Sequence, residues 1–412
     1  MIQTAEIIAI GSELLSPNRM DTNSLFLTGR LNSIGIEIDL KSVVGDGEER
    51  LEQVVREAVK RSSLVIATGG LGPTEDDVTR KVFARVLKRQ MVLDERVLER
   101  IQERFRRRGL QMSANNARQA LVPVGATLLD NVAGTAPGLW MEEEGCHIIL
   151  LPGPPSELKP MFDAACMPRL TDLAGGFRLF TQVFKVTGLT ESKVDDLIAP
   201  LYVPYKNPVT TILASPGEVQ VHLTGRGRSE EEAKRVVVEL ADKIEYALGD
   251  HIFSRGEESL EQIVGYYLLM RQMTLSVAES CTGGLISQRL TSVPGSSNYF
   301  LCGVACYSNE SKIELAGIPP LMIEMNGAVS AEVAKGLAEG IRKKTGSTIG
   351  LGVTGIAGPG GGSLDKPVGL VHLALAMETG IDHQELRLGG DRERIRFWAS
   401  QLALDMVRRK LL

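Results

Sequence analysis

The chain has 412 residues, a formal charge of −5 and a pI near 5.8. That balance excludes a general electrostatic pull on nucleic acid, and an aromatic content of 5% leaves few platforms for base stacking. Hydrophobic residues at 43% and charged residues at 24% describe a globular chain long enough for roughly two to four domains.

In chain order, residues 5–10 read as a buried strand, and 22–34 as a helix ended by Gly35. Residues 36–44 form a second strand, 48–61 a helix and 64–68 a third, wholly apolar strand. Residues 75–88 and 95–108 are helical, and 147–151 form a later strand closed by Pro152-Gly153-Pro154-Pro155. The basic run from Arg104 to Arg108 is the solvated end of a helix stopped at Gly109, where cations offset the helix dipole. Strands alternating with helices predict an α/β fold with a mostly parallel sheet covered on both faces. Ligands then bind beyond the carboxyl ends of the strands. Residues 171–176 read as a linker. From 177 to 254 the pattern changes to strands with two helices, a small α+β module. After a polar joint at 255–258, α/β alternation resumes to the end. The expected domains are 1–172, 176–253 and 257–412.

No stretch has the pattern of a signal peptide or the length of a membrane span. The cysteines are Cys146, Cys166, Cys281, Cys302 and Cys306, with no C-x-x-C pair, and the five histidines are scattered. A zinc site is not expected, and a reduced cytoplasm fits best.

Two constellations carry chemistry. Thr68-Gly69-Gly70-Leu71-Gly72-Pro73-Thr74-Glu75-Asp76-Asp77 leaves a strand and enters a helix. Its glycines let backbone N–H groups converge on an anion. It matches neither a Walker loop nor a G-x-G-x-x-G fingerprint. Three successive carboxylates repel phosphate unless a divalent cation lies between them and a diphosphate. The blander reading has Thr74 as an N-cap with Asp77 at N3, a capping-box-like arrangement. Glu13, at the same sheet edge, favours the cation. Asn131-Val132-Ala133-Gly134-Thr135 and Gly153-Pro154-Pro155-Ser156-Glu157 add polar loops, although Ser156 serves equally as a helix cap.

The second constellation is Ala278-Glu279-Ser280-Cys281-Thr282-Gly283-Gly284, at the end of an apolar strand, followed later by Tyr307 and Lys312. Amide hydrolysis needs a nucleophile, a proton acceptor and oxyanion donors. Ser280 suits the first role and Lys312 the second once its pKa is lowered. Tyr307 can orient either one, and backbone N–H groups opening the next helix can hold the oxyanion. Thr354-Gly355-Ile356-Ala357-Gly358 begins a glycine-rich loop suited to a phosphorylated ligand, with Arg392 and Arg396 to pair with phosphate. Taken singly, Ser280 or Thr282 reads as a helix cap, Lys312 as a surface lysine, and Cys281 as a buried, inert thiol.

Ala278–Gly284, Tyr307–Lys312, Gly327-Ala328-Val329-Ser330, Gly355–Pro359 and Lys366-Pro367-Val368-Gly369 resemble the CinA carboxy-terminal domain, the nicotinamide mononucleotide deamidase family. Thr68–Asp77, Asp21-Thr22-Asn23-Ser24, Gly134–Gly138 and Leu151–Glu157 resemble the amino-terminal CinA domain, which is related to molybdopterin-binding folds. The middle module resembles the KH-like domain of full-length CinA. The resemblance implies a three-layer αβα first domain, an α+β KH-like second and an α/β third.

It also implies two activities. The last domain would convert nicotinamide mononucleotide and water to nicotinate mononucleotide and ammonia without a cofactor. Ser280 is then the nucleophile and Lys312 the base, supported by Tyr307, Cys281, Thr282, Gly283, Gly284, Thr354, Gly355, Arg392 and Arg396. The first domain would hydrolyse ADP-ribose to AMP and ribose 5-phosphate with a divalent metal ion on Glu13, Asp76 and Asp77. Its substrate contacts would come from Ser12, Asn23, Gly69, Gly70, Gly72, Pro73, Thr74, Asn131, Gly134, Thr135, Gly153 and Pro154. A homodimer is implied as well. Ser16-Pro17-Asn18-Arg19-Met20 departs from the family's glycine-rich approach to Asp-Thr-Asn, and Gly225-Arg226-Gly227 is not a Gly-x-x-Gly clamp. Neither nucleic acid nor membrane is expected as a partner. The alternative is a deamidase whose first domain only senses a nucleotide or pterin. A scaffold in DNA uptake or repair, suggested by the family's competence-related name, is disfavoured by the acidic pI.

Overall fold

The computed structural model describes residues 1–412. β1 (Thr4–Ile10), α1 (Thr22–Asn32), β2 (Glu37–Val44), α2 (Glu48–Arg61), β3 (Leu64–Thr68) and α3 (Thr79–Val86) alternate as the apolar pattern predicts. β4 (Met91–Leu93), α4 (Glu95–Arg107) and β5 (Leu121–Pro123) make an excursion in which β4 pairs with β5. β6 (Thr127–Leu129), β7 (Gly138–Glu143), β8 (Cys146–Leu151), α5 (Pro155–Met161) and α6 (Met167–Leu173) follow. The sheet order is β2-β1-β3-β8-β7-β6, parallel through β8 and antiparallel beyond it. Successive strand residues point to opposite faces. Ile7 and Ile66 therefore join one core with Leu27 and Phe162, while Ile8 and Val65 join another with Val55 and Phe83.

Two expectations are corrected. α3 begins at Thr79, not at residue 75, because Asp77 holds residues 72–77 in a turn instead of entering the helix. Residues 171–173 belong to α6, not to a linker, since buried Leu170 anchors that helix in the core.

β9 (Arg178–Val186), α7 (Glu191–Tyr202), β10 (Val209–Ser215), β11 (Glu218–Gly227), α8 (Glu230–Leu248) and β12 (Ile252–Ser254) form the middle α+β region. Its four strands are ordered β10-β11-β9-β12. By compactness the chain divides into two units, residues 1–180 with 226–235 and residues 181–225 with 236–412.

The last region comprises α9 (Leu260–Met270), β13 (Leu275–Glu279), α10 (Leu285–Thr291), β14 (Phe300–Ala305), α11 (Asn309–Ala316) and α12 (Pro320–Asn326). It closes with α13 (Ala331–Thr345), β15 (Ile349–Gly355), β16 (Leu370–Met377), β17 (Gly380–Arg387) and α14 (Arg392–Leu411). Its sheet is β14-β13-β15-β16-β17, parallel among the first three and antiparallel at β16 and β17. Val277, Leu351 and Leu373 pack with Leu268, Ile286 and Leu404 on one face, and Ala278 packs with Val333 and Leu337 on the other. Gly352 is required in β15, because a Cβ there would collide with the Ala334 carbonyl of α13. No helix is long and apolar enough to cross a membrane.

Candidate active sites

In the first unit β1, β3 and β8 end at one sheet edge, where the loops that follow line a cavity of about 630 Å³. The glycine loop after β3 is held from behind. Gly69 O accepts from Thr79 Oγ1 at 2.8 Å, and Arg80 donates to Leu71 O at 2.5 Å and Gly72 O at 3.1 Å. Arg80 is buried, and that burial pulls its pKa down to about 10. With these carbonyls bound to donors inside the fold, the Gly70 and Leu71 N–H groups have no protein partner, as an anion-binding loop requires. Gly70 has φ +62°, and a Cβ there would collide with Thr79 Oγ1.

Asp77 braces the same loop. Its carboxylate accepts from Gly72 N at 2.7 Å, Thr74 N at 2.8 Å and Thr74 Oγ1 at 2.5 Å. Thr74 is therefore neither a helix cap nor on the cavity wall, and Asp77 is occupied as a loop brace. Asp21 caps α1 through Ser24 N, Asp46 accepts from Ser12 N at 2.8 Å, and Glu157 accepts from Asn131 Nδ2 at 2.7 Å. Glu13 and Asp76 line the cavity with no protein partner. No three His, Cys, Asp or Glu side chains converge to hold a metal ion, so the acids open to one are Glu13 and Asp76.

Among the expected substrate contacts, Asn23, Gly69, Gly70, Gly72, Pro73, Thr135, Gly153 and Pro154 line the cavity. Ser12 does not; it is exchanged in hydrogen bonds with Asp46. Asn131 and Gly134 line a neighbouring cavity of about 790 Å³, with Thr135 on the wall of both. Asn23 Nδ2 donates to Gly153 O at 2.8 Å, while its buried Oδ1 has no partner and is free to accept from a ligand. Sequence reasoning missed Gln119 and Arg19. Gln119 is buried on the wall within an irregular 3-10 helix that carries no periodic signal. Arg19, in the segment that departs from the family pattern, is the one cationic side chain lining the cavity.

In the second unit Ser280 follows β13 directly, and its N–H donates to Val353 O at 2.9 Å. The residue before it is the main surprise. Glu279 is fully buried, and its carboxylate accepts from Gly284 N and Ile286 N at 3.0 Å and from Ser287 N at 2.9 Å. The start of α10 is thus already capped by an anion, which corrects the expectation that these N–H groups would hold an oxyanion. Gly283 N and Leu285 N also bond within the turn. The Cys281 and Thr282 N–H groups donate to no backbone oxygen and face only the Cys281 thiol, a weak acceptor, and the buried Thr282 hydroxyl has no partner. A carboxylate ending an otherwise apolar strand was the sequence signal for Glu279.

Lys312 is buried on α11, and desolvation pushes its pKa below the usual lysine value of 10.5. Its Nζ donates to Tyr307 O at 3.3 Å and Ser308 O at 3.4 Å. The Tyr307 hydroxyl turns elsewhere, accepting from Arg392 at 2.8 Å, while Arg392 also donates to Gly358 O at 2.8 Å. Burial pushes the Cys281 thiol up to about 12, which keeps it protonated at neutral pH. Thr354 is fully buried and donates to Ala328 O at 2.8 Å, and Arg396 donates to Thr282 O at 2.7 Å. Both therefore act on the site's backbone. Gly355 packs against Cys281, whose Sγ would lie 3.0 Å from a Cβ, and Gly283 has φ +59° in the turn.

Residues 257–411 match the model of the CinA C-terminal domain, 6–172 that of the "Probable molybdopterin binding domain", and 181–254 that of the damage-inducible protein CinA KH domain. The chain is 53% identical to a CinA-like protein of Koribacter versatilis over 99% of its own length and 100% of the relative's. The chain belongs to the CinA family. A CinA-like protein of Solibacter usitatus is 48% identical over 99% of this chain and 98% of its own. The crystal structure of a competence/damage inducible protein, CihA, from Agrobacterium tumefaciens is 37% identical, covering 38% of this chain and 98% of that one with a TM-score of 0.35. Within the family frame, the molybdopterin-binding-like domain holds the glycine-loop cavity and the CinA C-terminal domain holds Ser280 and Lys312.

Proposed function

We propose that this CinA-family chain is a bifunctional hydrolase of pyridine-nucleotide salvage. Its C-terminal domain deamidates nicotinamide mononucleotide to nicotinate mononucleotide and ammonia. The observation that carries this reading is a lysine buried without a carboxylate partner, Lys312, in the domain whose strand-end turn presents Ser280. Burial favours the neutral amine, and two carbonyls take its two N–H groups, leaving the lone pair for the Ser280 proton. The Ser280 oxygen attacks the carboxamide carbon, and the oxyanion is received by the Cys281 and Thr282 N–H groups. Lys312 returns the proton to the departing nitrogen, which leaves as ammonia. Water, deprotonated by the same amine, then hydrolyses the acyl-serine ester.

The N-terminal domain is proposed to hydrolyse ADP-ribose to AMP and ribose 5-phosphate. Glu13 and Asp76 would hold a divalent cation, which suits an ion that takes one or two carboxylates and completes its shell with phosphate and water. Bound there, the cation would neutralise phosphate charge. Gly70 N–H, Leu71 N–H and Arg19 would bind the diphosphate, and Asn23 Oδ1 would accept from a ligand hydroxyl. A second reading, a nucleotide- or pterin-binding sensor, is favoured by the lack of three converging metal ligands. AMP formation dependent on added metal supports the first reading; ADP-ribose binding without AMP supports the second. The deamidase is tested by ammonia release from nicotinamide mononucleotide, with wild type and Ser280→Ala side by side and no added metal. Equal release by both proteins rejects Ser280 as the nucleophile. The family resemblance also leads us to propose a cytoplasmic homodimer that binds neither nucleic acid nor membrane.

A further inference from the structure

The Lys366-Pro367-Val368-Gly369 segment takes no part in the chemistry above, yet Lys366 makes two of the shortest polar contacts near the Ser280 domain's strand ends. Its Nζ donates to Asn326 O and to Val329 O, both at 2.7 Å. Asn326 is the last residue of α12, so the ammonium meets a carbonyl left free at a helix C-terminus, where a cation is favoured. Gly327 lies directly beneath it: a Cβ there would sit 2.9 Å from Nζ. The two carbonyls between the clamped ones are also occupied, Gly327 O by the Ser330 hydroxyl at 3.1 Å and Ala328 O by Thr354 at 2.8 Å.

This turn is tied to the reaction site through Thr354 and the residues beside it. Thr354 is the penultimate residue of β15, whose Val353 O receives the Ser280 N–H and whose Gly355 packs on Cys281. Lys366 itself is presented by a tight turn, in which Ser363 N donates to Lys366 O at 2.8 Å and Lys366 N donates to Ser363 Oγ at 3.0 Å. Between the two anchors, Arg392 on Gly358 and Lys366 on the turn, the glycine-rich stretch 359–365 is exposed.

We propose that Lys366 is a positioning residue of the deamidase site. It fastens the glycine-rich strap to the 326–330 turn, and so fixes Thr354, Gly355 and the strap that follows them against a bound substrate. The inference rests on the deamidase reading and extends it. The expected signature is weaker substrate capture with little change in the chemical step.

Lys366→Met is compared with wild type for ammonia release from nicotinamide mononucleotide and for thermal unfolding. This variant is expected to raise KM by about tenfold, with kcat within about threefold and cooperative unfolding retained. Lys366→Arg, which keeps charge and donors, is expected to recover part of the loss. Wild-type KM in Lys366→Met overturns the proposal, as does a loss of kcat and KM that merely follows the unfolded fraction. A folded wild type that releases no ammonia overturns the deamidase reading itself, and this proposal with it.

Discussion

The Ser287 hydroxyl donates to the Glu279 carboxylate at 2.6 Å, and the Ser287 N–H donates to the same oxygen at 2.9 Å. Glu279 thereby closes the turn that carries Ser280, and it does so from a fully buried position. Glu279→Gln keeps the shape but turns an amide donor toward N–H groups that need an acceptor. Destabilisation of about 2 kcal/mol is expected, with a fall in kcat. Urea unfolding and steady-state ammonia release check both; an unchanged midpoint rejects the capping role.

Ser280→Ala is expected to lower ammonia release by at least about a thousandfold while leaving the thermal midpoint within a few degrees of wild type, since the side chain makes no hydrogen bond in the fold. Cys281→Ala is expected to keep most of the activity, because a thiol pushed up to about 12 is not the nucleophile.

Lys312 gives two pH signatures of the same sign. Burial lowers its folded pKa below 10.5, so between the folded and unfolded pKa values the unfolded chain binds more protons. Stability assigned to this group therefore rises with pH across that window, and its burial penalty is complete below the folded pKa. Lys312→Met is expected to be more stable than wild type at neutral pH, with the gap narrowing as pH approaches 10.5. In wild type, kcat/KM is expected to rise through the folded pKa and then level off. A flat pH–rate profile counts against Lys312 as the base.

The acids of the first domain separate by role. Glu13→Ala and Asp76→Ala are expected to weaken metal-dependent AMP formation about a hundredfold or more with little change in unfolding. Asp77→Ala is expected to loosen the glycine loop, seen as faster hydrogen exchange at Gly72 and Thr74, whose N–H groups it now holds. Full cleavage without metal in wild type argues against the cation.

Tyr307→Phe removes the acceptor for Arg392 without touching the backbone carbonyl that meets Lys312. A rise in KM of a few-fold with kcat retained is expected. A collapse of kcat would return the tyrosine to a proton-relay role.

Local signals determined much of this protein. The wholly apolar β3, the 3.6-residue spacing of α2 and the punctuation at Gly35 and Pro152–Pro155 marked the alternation of strands and helices, because burial on both sheet faces leaves a continuous apolar run. Ser280, Lys312 and the glycine loops were visible because their motifs are contiguous. Only the tertiary structure decided which polar groups are spent and which remain open. Asp77 and Asp76 are neighbours in sequence and both line the cavity, yet the first has its carboxylate spent bracing a loop and the second has it open. Glu279 occupies the helix terminus that the Thr282-Gly283-Gly284 segment advertised, and Lys366 meets a turn 37 to 40 residues away. Hydrogen-bond capacity is filled by partners distant along the chain, so a residue's type and spacing reveal what it can do, and the packed fold decides whether it is still free to do it.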